Sequence, residues 1–179
     1  MSIFKISRRY AKALLAAAQE KGLADVVAQD LALIRSLGES SRDLRAMLRS
    51  PIIDVGVKKQ VLKDVVGSKV NPLTLDFMYL VLDKGRGELW REIVLEYNGL
   101  LDDVKNIERV RVTSAVELGA EERSRIENAL ASRLGKNIVA SYDTDATILG
   151  GAVVRVGDEV LDGSLRHQLG VLRTRLAGA

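Results

Sequence analysis

Few side chains in this sequence of 179 residues are of the types that perform catalysis or bind metals. The chain has one histidine, His167, and no cysteine, so no second histidine or thiolate completes a zinc site or an acid–base pair. The acidic pairs at 102–103, 121–122 and 158–159 are adjacent in sequence, which directs their side chains apart rather than toward one substrate. We therefore predict no catalytic residue, no metal site and no bound cofactor.

Two glycine pairs are the only candidates for a phosphate-binding loop. Gly85 and Gly87 flank Arg86, and Gly150 precedes Gly151. Neither pair has the spacing and the following lysine of a P-loop, and no Gly-x-Gly-x-x-Gly motif opens a helix after a strand. We interpret the first pair as a turn and the second as a kink in a strand.

Composition and charge exclude several classes of protein. The chain is 47% hydrophobic and 28% charged, which is typical of a globular protein. Its formal net charge is +3, and acidic residues are interspersed among the basic ones, so no polycationic surface for nucleic acid is expected. Apolar runs such as 77–82 are far shorter than the roughly 20 residues that span a membrane, and the start lacks the apolar core of a secretory signal. We expect a cytosolic protein with no direct membrane insertion, since the absence of cysteine fits a reducing compartment.

Residues 1–106 show a helical period of apolar positions with short interruptions, and six helices are predicted. Gly38 is predicted to end the second helix, Asp54 to cap the fourth, and the pair Asn71-Pro72 to open the fifth. Pro72 follows at the first helical position, where its missing N–H is harmless. The apolar face predicted for the first helix comprises Ile6, Tyr10, Ala13, Leu14 and Ala17.

The pattern changes near residue 106 from a helical period to strict alternation. Val110 and Val112 fall on one side of a predicted strand, with charged residues on the other side. A helix over 121–134 and a strand through 138–142 follow. We therefore place a domain boundary at this change of period.

The end of the chain carries its most informative local pattern. Val154 and Val156 lie on one face of a strand, a turn at 157–158 makes a hairpin, and a second strand returns. Asp162 is predicted to cap a last helix that begins near Gly163.

The predicted fold class is α+β. An N-terminal six-helix bundle occupies residues 1–106, and a small C-terminal α+β domain occupies residues 107–179. The second domain contains a short mixed sheet and two helices, and it is marginal in size for standing alone.

The fifth helix has more apolar surface than one core-facing stripe requires. Within 73–82, every residue except Thr74 and Asp76 is apolar. A helix that is apolar all round is buried all round, so neighbouring helices enclose it completely or one face is left for a partner. The second alternative gains support from the alanine-rich first helix, because small residues beside bulky ones leave a groove for an amphipathic helix. The residues predicted to line this groove are Tyr10, Ala13 and Ala17 on one wall, and Phe77 and Leu80 on the other.

Three motifs at family-like spacing carry a resemblance that covers nearly the whole chain. They are Arg-Tyr-Ala-Lys-Ala-Leu at 9–14, Asp-Lys-Gly-Arg at 83–86, and the glycine-rich hairpin and cap at 150–164. In these motifs the sequence resembles the delta subunit of F-type ATP synthase, whose mitochondrial counterpart is the oligomycin-sensitivity-conferring subunit. It departs from the family pattern at Gly87, where a bulky residue is usual.

The resemblance implies a protein that holds two parts of a larger complex together. It implies that the N-terminal domain sits on the catalytic head and holds N-terminal helices of alpha subunits in the predicted groove. The C-terminal domain would bind the peripheral stalk formed by b subunits, with Leu165, Leu169 and Leu172 as candidate contacts. An alternative for these three leucines is packing against the sheet.

We therefore predict a non-catalytic stator subunit, one copy per complex, that links head to stalk so that the head resists rotor torque during proton-driven ATP synthesis. Its expected location is the cytoplasmic face of a bacterial inner membrane, although a processed organellar chain would look the same. Replacement of Phe77 or Leu80 by Asp is expected to abolish head binding while leaving the fold intact. The alternative function is an RNA-binding helical adaptor that uses the basic first helix and the arginine-rich last helix, with salt-steep affinity.

Overall fold

The computed structural model describes the backbone of residues 3–177 and the side chains of residues 3–170, 173 and 174. Within this part of the chain, helices precede a four-stranded mixed sheet, so the predicted α+β class is confirmed. The chain divides into two compact units after Leu101, inside the helix that precedes the first strand.

Within the described residues six α-helices precede the first strand; the fourth is capped by Asp54, as predicted, and the fifth by Asn71. The Asp54 side chain accepts a hydrogen bond from the Gly56 N–H at 2.7 Å, and the Asn71 side chain accepts one from the Leu73 N–H at 3.0 Å. Pro72 is the first residue of the fifth helix. The helices are α1 (Ile3–Glu20), α2 (Ala24–Ser40), α3 (Arg42–Arg49), α4 (Val55–Val66), α5 (Pro72–Asp83) and α6 (Trp90–Val104).

A buried carboxylate on α2 anchors the start of α5. Oδ2 of Asp30 accepts hydrogen bonds from the Asn71 N–H at 2.8 Å and from the Thr74 hydroxyl at 2.7 Å. Asp30 and Thr74 are both buried. A carboxylate at a helix N-terminus satisfies free N–H groups and interacts favourably with the helix dipole. Asp30 therefore fixes the position of α5 against α2.

The end of α2 differs from the prediction. Gly38 does not end this helix, which continues to Ser40. A Cβ atom built on Gly38 would lie 2.4 Å from Cη2 of Trp90, which is itself buried. Glycine stands here because the Trp90 ring packs directly against the backbone of α2, and no left-handed turn is involved.

A single cluster of buried apolar side chains forms the core of the first unit, and a tyrosine is part of it. Tyr97 of α6 is fully buried, and its hydroxyl donates a hydrogen bond to the Ala24 carbonyl at 3.0 Å. Burial raises the pKa of Tyr97 to about 12, with the nearby Asp25 charge as a smaller cause.

The second unit is built on a mixed sheet with the strand order β2-β1-β3-β4. Strand β1 pairs in parallel with β2 and antiparallel with β3, and the predicted hairpin joins β3 to β4. Val110 and Val112 of β1 are buried together with Leu130 of α7, so this helix covers one face of the sheet. The elements are β1 (Ile107–Ser114), α7 (Ala120–Leu134), β2 (Asn137–Thr144), β3 (Ala152–Val156), β4 (Glu159–Asp162) and α8 (Leu165–Ala177).

The cap of α8 is Ser164, which corrects the prediction of Asp162. Ser164 Oγ accepts a hydrogen bond from the His167 N–H at 3.2 Å, the usual geometry for the cap of a helix that starts at Leu165. Asp162 Oδ1 accepts the Ser164 N–H at 2.9 Å and so forms a turn that precedes the helix. Hydrogen bonding with the Ser164 side chain, and secondly with its backbone N–H, lowers the pKa of Asp162.

We expect Gly38→Ala to destabilise the first unit. Alanine normally stabilises the interior of a helix relative to glycine by about 1 kcal/mol. At Gly38 the added methyl overlaps a ring that cannot retreat, so we expect a net loss of about 1–3 kcal/mol. Denaturant unfolding followed by Trp90 fluorescence measures it.

The matched control is Gly99→Ala in α6. A Cβ at Gly99 meets no atom within 4 Å, so the normal helix propensity should appear as a gain of up to about 1 kcal/mol. Equal effects at the two glycines would contradict the packing explanation for Gly38.

Candidate protein-binding sites

An open groove runs between α1 and α5 in the first unit. It encloses about 500 Å³ and is lined mainly by apolar side chains. The structure brings together on its walls all of the residues that the sequence predicted for this groove. The lining residues are Arg9, Tyr10, Ala13, Leu14, Ala17, Leu73, Asp76, Phe77 and Leu80.

The groove exists because the core face of α1 coincides only in part with the predicted apolar face, sharing Ile6 and Leu14 with it. The residues of α1 that face the core are Ile6, Ser7, Ala11, Leu14, Leu15 and Ala18. Tyr10 and Ala17 are only partly buried, and Ala13 is exposed. The predicted apolar face of α1 therefore combines part of the core face with the wall of the groove, because apolar residues on this helix extend beyond one stripe.

The two walls meet at an aromatic pair. The rings of Tyr10 and Phe77 have centroids 6.4 Å apart and an interplanar angle of 69°, an edge-to-face arrangement. Phe77 is 7% exposed and belongs to the core, whereas Leu80 is 46% exposed. Of the two alternatives for α5, the structure shows the one with an open apolar face.

The burial of Phe77 revises the expectation for its replacement. An Asp side chain at position 77 would put a carboxylate into the core, where it has no partner and costs several kcal/mol of stability. Loss of partner binding by Phe77→Asp would then report unfolding. Leu80 is the residue at which the groove can be tested without damage to the fold.

A second apolar groove, which sequence reasoning missed, lies between α2, α3 and α4. It encloses about 340 Å³. The signal for it was a surplus of apolar residues on the short helix α3, which buries only Leu48 completely. The lining residues are Leu37, Ser40, Ser41, Asp43, Leu44, Met47, Val61 and Val65.

In the second unit, the predicted leucines lie on α8. Leu165 is 48% exposed and Leu169 is 61% exposed, so neither is enclosed by the sheet. The side chain of Leu172 lies outside the described residues. The exposed pair forms an apolar surface at the start of α8.

The double glycine of the most specific motif positions this start of α8. Gly151 has a φ of +79°, and a Cβ there would lie 2.4 Å from the Gly163 carbonyl oxygen. A Cβ on Gly150 would meet the Leu165 side chain at 2.8 Å. The Leu165 N–H donates to the Gly150 carbonyl at 3.0 Å. Only glycine permits the backbone before β3 to lie this close to the start of the helix.

Neither metal binding nor membrane crossing finds a site in the described residues. No cluster of three or more His, Asp or Glu side chains among them has the geometry to hold a metal ion. No helix in this part of the chain has the length and apolar character needed to cross a membrane.

A groove between helices is a common site for binding a helical segment of another protein, so the fold and the groove define a protein-binding subunit. Comparison with known families identifies its class more closely. The family model for the ATP synthase delta (OSCP) subunit matches residues 6–176. The chain belongs to this family.

Relatives match along almost the whole chain. ATP synthase subunit delta of Chlorobaculum parvum is 39% identical over 176 residues, which cover 98% of this chain and 97% of that protein. ATP synthase subunit delta of Desulfatibacillum aliphaticivorans is 38% identical over 170 residues, or 94% and 93% of the two chains. A chain in the cryo-EM structure of the Toxoplasma gondii mitochondrial ATP synthase hexamer has the same fold, with a TM-score of 0.66 and 24% identity over 96% of this chain and 97% of that one.

Membership of the family answers the question of function at a general level. The protein is a delta (OSCP) subunit of ATP synthase, a non-catalytic component of its peripheral stalk and stator. The alternative of an RNA-binding adaptor gains no support from these relatives, whose names all refer to ATP synthase.

The structure predicts that the same substitution by Asp has a large effect on stability at Phe77 and a small one at Leu80. Phe77→Asp should lower the free energy of unfolding by at least about 3–5 kcal/mol, the range for loss of a buried aromatic ring. Leu80→Asp should change it by about 1 kcal/mol or less, because the site is open to water. Urea unfolding followed by circular dichroism distinguishes them, and equal losses would mean that Leu80 belongs to the core.

Proposed function

We propose that the groove between α1 and α5 binds the N-terminal helix of an ATP synthase alpha subunit. In this proposal the six-helix bundle of residues 1–106 is the part that holds the catalytic head. Residues 107–179 bind the b subunits of the peripheral stalk. One copy of the chain joins the two at the cytoplasmic face of the membrane.

The observation that carries the proposal is the open apolar groove itself. Its walls combine small residues, Ala13 and Ala17, with bulky ones, Tyr10 and Leu80, which leaves room for a helix between them. Recognition of a helix by a groove uses apolar anchors at helical spacing. A helix of about 20 residues could bury an interface of order 1,200–2,000 Å², the size of a specific and stable complex.

An apolar groove suits the mechanical task of a stator. Rotor torque loads the joint between head and stalk continually, so the complex must dissociate slowly. Affinity within one interface is set mostly by the dissociation rate. Apolar contacts are also insensitive to salt, whereas exposed charge pairs are screened at physiological ionic strength. The open leucine at position 80 is thus the residue from which we expect the largest contribution among exposed groove residues.

The test is calorimetric titration of the full chain with a peptide of the alpha subunit's N-terminal helix from the same source. Leu80→Asp should weaken binding by about 30-fold or more, the effect of losing a well-buried anchor. Leu95→Asp is the matched control, because Leu95 is an exposed helical leucine (52%) that does not line the groove. Binding that survives Leu80→Asp, or is lost equally in both variants, would overturn the assignment of the groove.

We propose that the exposed leucines at the start of α8 contact the stalk. Leu169→Asp should weaken capture of a b subunit by about tenfold or more, since a charge would replace an apolar contact. Val116→Asp is the control, because Val116 is equally open to water but lies in the loop after β1. Surface plasmon resonance with both variants gives the answer, and unchanged affinity for Leu169→Asp would exclude this surface.

A further inference from the structure

The two rims of the α1–α5 groove carry opposite charges. Arg9 lines the groove on the α1 side, and Lys5 and Lys12 lie four residues before it and three residues after it, on the same side of the helix. On the α5 side, Asp76 lines the groove. Asp83 follows seven residues later, again on the same side of its helix. Beside the groove, the α1 rim is therefore cationic at Arg9 and the α5 rim is anionic at Asp76.

The two charges that border the groove most closely are available to a partner. Among the described side chains, neither Arg9 nor Asp76 has an ion-pair partner. Two other charged residues of these helices, by contrast, have ion-pair partners within the chain. Arg8 approaches Glu96 at 4.0 Å, and Asp83 is paired with Lys59 at 2.7 Å.

The position of the cations in α1 gives no benefit to the isolated fold. Lys5 and Arg9 lie in the first two turns of the helix, whose first turn holds no acidic residue. Positive charges near a helix N-terminus oppose the helix dipole and lower helix stability. Local helix stability therefore does not account for the cations on this side of α1.

The opposite charges of the two rims affect the direction in which a helix can lie in the groove. A helix that lies with its apolar face on the groove floor presents one flank to α1 and the other to α5. Reversal of its N-to-C direction exchanges these two flanks. A helix with one acidic and one basic flank therefore satisfies both rims in only one direction, and in the other direction it meets like charges on both sides.

We infer that Arg9 and Asp76 select the direction of the bound helix. The partner is an amphipathic helix of another protein, with carboxylates along the flank that faces α1 and basic side chains along the flank that faces α5. This inference rests on the proposed function, in which the groove holds a helix. Exposed ion pairs contribute little to affinity but discriminate against wrong arrangements. The apolar floor thus supplies the binding, and the rims supply the direction.

The test uses two designed peptides of about 20 residues with the same apolar stripe of leucine and alanine. In one peptide Glu residues run along one side of the apolar stripe and Lys residues along the other side. In the second peptide the Glu and Lys sides are exchanged. Each has a nitroxide at its N-terminus. Paramagnetic broadening of amide signals in the full chain shows which end of α1 the label approaches, Ile6 or Glu20. The 18 residues of α1 span about 27 Å, which is long enough to separate the two ends.

We expect each peptide to place its label at one end of α1, and the two peptides to place it at opposite ends. The preference should be about tenfold, from two rims that each change from attraction to repulsion. In the double variant Arg9→Glu, Asp76→Lys, the preferred end should exchange or the preference should disappear. Arg8→Glu is the matched control, because Arg8 does not line the groove and should leave the direction unchanged.

Two results would overturn the inference while leaving the groove intact. One is broadening at both ends of α1 in the unaltered chain, and the other is the same preferred end in the double variant. Failure of the proposed function itself has a different signature. In that case neither peptide binds, or Leu80→Asp leaves binding unchanged.

Discussion

The arrangement of the first unit depends on the buried contact between Asp30 and the start of α5. The carboxylate accepts hydrogen bonds from the Asn71 N–H and the Thr74 hydroxyl, so it satisfies donors that the start of a helix leaves free. Hydrogen bonds to an ionised acceptor are among the stronger ones in proteins, and those inside a core hold their geometry. Because α5 forms one wall of the groove, a contact on the far side of this helix determines where the wall stands.

With α5 in place, the shape of the groove follows from the sizes of side chains on α1. Ala11 and Ala18 are fully buried and permit a close approach of α1 to the core. Tyr10, Ala13 and Ala17 then remain beside the core face and become the second wall. The same helix thus packs into the core with one face and lines the groove with the next. In our proposal the apolar floor supplies affinity for a bound helix and the charged rims supply selectivity.

The second unit is a small domain, and the start of its helix α8 is held by a different kind of contact. Among the described residues, the buried apolar side chains of this unit are Val110, Val112 and Leu130. At the start of α8, close packing around two glycines holds the helix in place of additional buried apolar side chains. Gly150 lies against the Leu165 side chain, and Gly151 lies against the Gly163 backbone. The first two leucines of α8, Leu165 and Leu169, remain exposed.

The sequence by itself determined the type and order of the elements, because hydrophobic period, caps and turns are local properties. Asp54, Asn71 and the turn at 157–158 carried that information without reference to any distant residue. The residues of the groove could also be predicted, since the surplus of apolar residues on two helices is visible in the sequence. Tertiary structure alone decided which of those residues face the core and which face solvent, so Phe77 and Leu80, three positions apart, have different roles. It also decided that Gly38 packs against Trp90 inside a helix, that Ser164 rather than Asp162 caps α8, and that Asp30 holds α5. The physical reason is that burial and close approach depend on residues distant in sequence, which no local pattern specifies.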